Sequence, residues 1–171
     1  MDITVALAFS EQDAVSLLNW LARTNARILR ENPGLPGLYR SGVVYKRETT
    51  ETWSDYINLL AQGWEDCDSL AAARAGELLA RGAVALAPGE GGYKDAKRRK
   101  LRRIPAEVFL RTRARPDQPG LYHCLVRYRV GGCWYFDDPS ARLGMLDRRL
   151  SASEVQQRLT LQTAPARGRR G

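Results

Sequence analysis

Apolar positions in the first part of the chain recur with the period of a helix. In EQDAVSLLNWLARTNARILRE, positions 14, 15, 18, 21, 22, 28 and 29 fall on one face. Ser10 stands before this stretch with Asp13 three residues on, a variant of the capping box, and Asn32-Pro33-Gly34 ends it. Pro33–Tyr39 reads as loop and Val43–Tyr45 as a short strand. Trp53, Tyr56, Ile57 and Leu60 share helical spacing, and that segment closes by Gly63. WEDCDSLAAARAGELLARG predicts a helix from about Cys67 to Arg81, stopped by Gly82. Its alanines and Gly76 permit close approach of neighbours, so it is the expected central buried helix.

Beyond Gly82 the pattern changes. Val84–Ala87 reads as a strand, Pro88–Gly92 as a mobile loop beside the site, and Lys94–Arg103 as a basic connector or short exposed helix. Glu107–Arg113 alternates as a strand, and Gln118-Pro119-Gly120 marks a turn. Tyr122–Val130 and Trp134–Asp138 flank Gly131-Gly132, a strong hairpin signal. The opening MDITVALAF is strand-like. Helices first and antiparallel strands second predict an α+β fold, with N-terminal helices and a central Cys-bearing helix packed on an antiparallel sheet. The expected organisation is a single domain over 1–163 with a basic insertion at about 88–105, followed by a basic disordered tail at 164–171.

Composition excludes several classes. The 171 residues carry 27 Lys+Arg against 19 Asp+Glu, a net charge of +8, and 44% are hydrophobic, too many for a disordered polyelectrolyte. No apolar run approaches the roughly 18–20 residues of a membrane span, and the opening lacks the order of a signal peptide. Three cysteines do not make a disulfide framework, which points to a reducing, cytoplasmic setting. One histidine and no CxxC make a metal site a poor expectation, and no cofactor signature is present; Pro88–Lys94 is glycine-rich without phosphate-loop spacing.

The charge is segregated. Residues 1–93 carry net −4, residues 94–115 net +8, residues 116–141 net −1 and residues 142–171 net +5. A polyanion or nucleic-acid contact therefore concerns Lys97, Arg98, Arg99, Lys100, Arg102 and Arg103 and the tail. No aromatic residue interleaves with that run, which is the pattern of a solvated connector.

Candidate chemistry centres on two residues. Cys67 sits at the predicted N-terminus of the alanine-rich helix, where the dipole and unpaired N–H groups favour a thiolate and could form part of an oxyanion hole. Glu65, Asp66 and Asp68 flank it and are expected to raise its pKa; the alternative is a small core residue. His123 is the one possible imidazole base. With a two-residue Gly131-Gly132 turn, Val130 faces Cys133, Arg129 faces Trp134 and Leu125 faces Asp138. His123 then lies on the face of Leu125, diagonal to Asp138, while Asp137 pairs with Val126 and points to the other face. Alternation thus selects Asp138 to orient His123, and turns Cys124 away into the core.

Asp66-Cys67-Asp68-Ser69-Leu70-Ala71, the helix ending at Gly82, then His123 and Trp134-Tyr135-Phe136-Asp137-Asp138-Pro139 resemble the transglutaminase-like branch of the papain-like cysteine enzymes. The resemblance covers roughly Gly63 to Pro139. It implies Cys67 as nucleophile, His123 as general base and then acid, and Asp138 as orienter. WEDCDSLAAARAGELLARG, GLYHCLVRY and DDPSARLGM are further similar to small stand-alone members encoded by phages of high-GC bacteria, which implies a bacterial host cytoplasm or a virion as the setting. Glu65 and Trp64 depart from the pattern by separating Gly63 from Asp66. No motif fixes a second oxyanion donor; Gln62, Trp64, Trp53 and Trp20 are candidates by proximity, and each aromatic is equally a core residue. Two functions follow as expectations: hydrolysis or acyl transfer at an amide or peptide bond of a protein or peptide substrate, or a non-enzymatic assembly protein of a phage particle that binds an acidic partner through its basic segments.

Overall fold

The computed structural model of this chain describes residues 10–48, 52–112 and 122–145. The strand-like opening, the turn at 118–120, the end of the domain near 163 and the basic tail lie outside the described residues. The fold is α+β. Helix α1 (Glu11–Glu31) is followed by strand β1 (Val44–Tyr45), helix α2 (Tyr56–Gln62) and strand β2 (Trp64–Glu65). Helix α3 (Cys67–Arg81) comes next, then α4 (Tyr93–Arg98), strands β3 (Ala106–Thr112), β4 (Tyr122–Val130) and β5 (Cys133–Asp137), and helix α5 (Pro139–Arg142). No helix among the described residues is long and apolar enough to cross a membrane.

Local chemistry explains the boundaries. Ser10 and Asp13 close a reciprocal capping box on α1, each side chain taking the other's backbone N–H at 3.2 Å. Asp55 caps α2 by accepting from Ile57 and Asn58, and Gly63, at φ 76°, takes the left-handed turn that ends it. Helix α3 is buried around its whole circumference. Ala71, Ala72, Ala75 and Leu78 face one core with Leu18, Ala22, Val108 and Val126. Leu70 and Ala73 face a second core with Leu29, Leu38, Tyr56 and Leu59. Small side chains are what allow this: a Cβ on Gly76 would lie 2.8 Å from the Ala22 carbonyl oxygen of α1.

Strands β3, β4 and β5 form an antiparallel sheet in that order, and β1 and β2 pair in parallel beside it. The hairpin register runs from Val130 opposite Cys133 to Val126 opposite Asp137, as a two-residue turn dictates. Gly131 and Gly132 both have positive φ, 59° and 89°, the conformation such a turn requires.

Two expectations are corrected. Val84–Ala87 is not a strand: Gly82–Val84 form a single 3-10 turn, because Ala83 donates to the Leu101 carbonyl and Ala85 to that of Gly82 instead of to a neighbouring strand. The Pro88–Gly92 loop is fastened rather than mobile. Glu90 is bonded to Arg74, and the Gly91 carbonyl accepts the Tyr128 hydroxyl at 2.9 Å.

Candidate functional site

Cys67 occupies the first turn of α3, directly after the cap residue Asp66. Its own N–H is one of the helix-terminal donors that have no intrahelical acceptor. His123 and Asp138 come from the other half of the fold. β5 stops at Asp137 because Asp138 is the cap of α5 and Pro139 is its first residue, a pairing that starts a helix and removes a ladder donor. Asp138 then serves two partners. Its Oδ1 accepts the Ala141 N–H at 3.0 Å, and its Oδ2 lies 2.8 Å from His123 Nε2.

The alternation argument holds. Asp138 meets His123, and Asp137 faces the opposite way, 2.8 Å from the Arg74 guanidinium. The same register explains how Cys67 reaches His123. Asn19 takes both the N–H and the C=O of Val108, so that residue turns its backbone away from β4. Its partner Val126 therefore turns toward β5, and so does Cys124 two residues earlier. Continued register would pair Cys124 with position 139, which is already Pro139 of α5. The Cys67 sulfur takes that place in the ladder. It accepts the Cys124 N–H, engages the Cys124 thiol and bonds the His123 ring. With Nε2 held by Asp138, Nδ1 is the ring nitrogen left for sulfur.

These contacts set the charges. The Cys124 thiol, then the His123 ring and the Cys124 N–H, hold the Cys67 thiol down at about 5 against the opposing effect of burial. His123 is raised to about 9: burial acts against the imidazolium, and the Asp138 carboxylate and the Cys67 sulfur outweigh it. Cys124, bonded to the Cys67 sulfur and buried, is pushed far up and stays a neutral donor. These shifts favour a thiolate–imidazolium pair steadied by Asp138. Such a pair can attack an acyl carbon and deliver a proton to the leaving group. Cys124 keeps the core-face burial expected of it, and in addition touches the sulfur. The signal for this lay in Pro139, which empties its ladder position.

The Cys67 pKa moves down and not up as the flanking acids suggest, because the Cys124 and His123 bonds outweigh them; each acid also accepts a donor of its own. Asp66 caps the Asp68 N–H; Asp68 accepts the Ser69 N–H and, at 2.7 Å, the Trp53 indole N–H; Glu65 accepts the Asp66 N–H. Their ligand atoms lie within 4.8 Å of one another, so these three are the described residues best placed to hold a cation. Glu65 is fully buried, its Oε1 has no hydrogen-bond partner, and burial raises its pKa. Among the candidate oxyanion donors, Trp53 is bonded to Asp68, Gln62 donates to the Trp64 carbonyl, Trp64 lies under Lys46, and Trp20 is exposed on α1.

One element of the site went unrecognised in the sequence. Arg74, wholly buried in mid-α3, uses all five of its N–H donors: on Asp137, on Glu77, on the Ala85 carbonyl and twice on Glu90. Arg142 of α5 adds bonds to Glu90 and Asp137, and both guanidinium groups lie against the Tyr39 ring, 4.6 and 4.2 Å from its centroid. This network ties the end of β5 to α3, so it holds Asp138 and Cys67 in one frame. An arginine inside an alanine-rich helix was the available hint.

The basic run lies away from the triad. Lys97, Arg98, Arg99, Lys100, Arg102 and Arg103 are all exposed, and Arg98 and Arg99 bond Asp95 within α4. Comparison of the chain with protein-family models, with curated proteins and with solved structures finds no match.

Proposed function

We propose that this chain is a transglutaminase-like cysteine enzyme of the papain-like group, acting on an amide or peptide bond. The observation that carries the reading is the Cys67–His123–Asp138 arrangement, with His123 bonded to both the sulfur and the carboxylate. The Cys67 thiolate adds to the carbonyl carbon, and the Cys67 N–H stabilises the resulting oxyanion. The C–N bond breaks as His123 gives its proton to the departing nitrogen, leaving a thioester on Cys67. Water or an amine then attacks that thioester, His123 takes the incoming proton, and the thiolate leaves. Asp138 keeps the ring oriented and balances its charge throughout. The acid-rich surroundings of Cys67 are outweighed by the Cys124 and His123 donors.

The test is an acylation assay with p-nitrophenyl acetate. A burst of p-nitrophenolate and an acetyl adduct on Cys67 are expected, and Cys67→Ala abolishes both. His123→Ala slows acylation by about 100-fold or more. Adding a primary amine separates acyl transfer from hydrolysis by the product formed. Equal acetylation of Cys67 and the exposed Cys133, insensitive to His123→Ala, would overturn the proposal.

A further inference from the structure

The sheet has a second face, opposite the one whose Cys124, Val126, Tyr128 and Val130 enter the core. Strand alternation puts Phe109 of β3, Arg127 and Arg129 of β4, and Trp134 and Phe136 of β5 on it. The rings and guanidinium groups interleave across the strands. Arg127 lies 5.4 Å from the Phe109 ring and 5.2 Å from that of Trp134, Arg129 lies 5.9 Å from Trp134, and Phe109 meets Phe136 edge-on at 5.9 Å. Trp134 and Phe136 nevertheless stay 49% and 61% exposed, an unusual cost for two large rings on adjacent positions of one face.

The basic run adjoins this face. Asp95 of α4 and its cap residue Arg99 pack against Gly131 at the hairpin tip, and the Arg129 N–H bonds the carbonyl of Pro105, two residues after Arg103. Residues 97–103 thus place six exposed cations beside a face whose arginines alternate with aromatics, with Asp95 and Glu107 the acids opposing them. A cleft of about 620 Å³ opens next to it, with Arg23, Glu107 and Trp134 among its walls. The aromatic residues missing from the basic run in sequence are supplied by β5 in space.

We propose that this outer sheet face, continued by Lys97–Arg103, binds single-stranded nucleic acid, with bases stacked on Trp134 and Phe136 and phosphates on Arg99, Arg103 and Arg129. The carboxylates of an acidic segment would satisfy the cations and leave the rings uncovered. A duplex would do the same, since its bases are already stacked. Unpaired bases match both features at once. By the same alternation His123 lies on this face, four residues before Arg127 along β4, so the binding surface adjoins the candidate catalytic histidine.

The test is fluorescence anisotropy of the full chain with a labelled oligothymidylate of about 20 nucleotides. Binding should weaken as salt rises. Trp134→Ala with Phe136→Ala should lower affinity by about tenfold or more and leave the salt slope unchanged. Arg99→Ala with Arg103→Ala should flatten that slope. Circular dichroism melts and Cys67 alkylation, unaltered in these variants, establish that they are folded. The proposal is overturned by absence of binding at low salt, by equal affinity for a duplex of the same length, or by affinity indifferent to the aromatic substitutions. Polyglutamate binding as tightly as the oligonucleotide would identify the face as an acidic-protein dock instead.

Discussion

Replacing Arg74 by methionine is the sharpest test of how this fold carries its site. The substitution keeps the length and the apolar stem and removes a fully buried cation with five hydrogen bonds. It leaves Asp137, Glu77 and Glu90 with side chains only 6% exposed. Their charges are not wholly abandoned: Arg142 still bonds Glu90 and Asp137, and Arg81 lies 3.9 Å from Glu77. The cost is therefore that of breaking one buried pair, about 3–5 kcal/mol, rather than three times that. In a chain of this size it corresponds to a fall in Tm of roughly 6–20 °C, a large share of a stability of ~5–15 kcal/mol. Urea unfolding followed by circular dichroism measures it. Under native conditions Cys67 alkylation by iodoacetamide should slow as well, because the end of β5 that presents Asp138 loses its anchor. Arg74→Lys, which restores charge without the five-donor fork, should recover only part of the stability. An Arg74→Met protein within ~0.5 kcal/mol of the parent, with unchanged Cys67 reactivity, would refute the argument.

Three further outcomes are expected. Alkylation of Cys67 should rise to half-maximum near pH 5, and acyl transfer should form a bell, lost as pH falls below about 5 and the thiolate takes up its proton, and lost again above about 9 as His123 loses the proton it must donate. Cys124→Ala should move the acid limb upward by roughly one pH unit or more while Cys124→Ser retains a donor; limbs that superimpose in all three proteins would remove Cys124 from the account. Gly76→Ala should destabilise the fold in thermal melts, since its Cβ would meet the Ala22 carbonyl at 2.8 Å and the Asn25 Cβ at 2.7 Å. Helix propensity alone predicts a gain of about 1 kcal/mol, so a stabilised variant would show that α1 yields easily.

Much of this protein is written locally. The Ser10 cap, the Gly63 and Gly82 stops and the Gly131-Gly132 turn act over two to four residues, so the bounds of α1, α3 and the hairpin could be read directly. Period-two alternation then separated Asp138 from Asp137 as the partner of His123. Val84–Ala87 misled because a short apolar run is a strand only where an edge waits for it, and the Leu101 carbonyl took its donor first. The basis of the proton chemistry was equally hidden. The Cys67 sulfur, the Cys124 thiol and His123 meet because a proline breaks one ladder and a helix end fills the place, an event joining three separate segments. Arg74 carried no assignment in the sequence, and only packing on all sides of α3 turned it inward onto three carboxylates. The sequence by itself determined the elements and which residue points to which face, since those follow from neighbours along the chain. The tertiary structure decided which charges are buried, which donors reach the sulfur, and which aromatics join the basic run, since each depends on what distant segments bring to the same place.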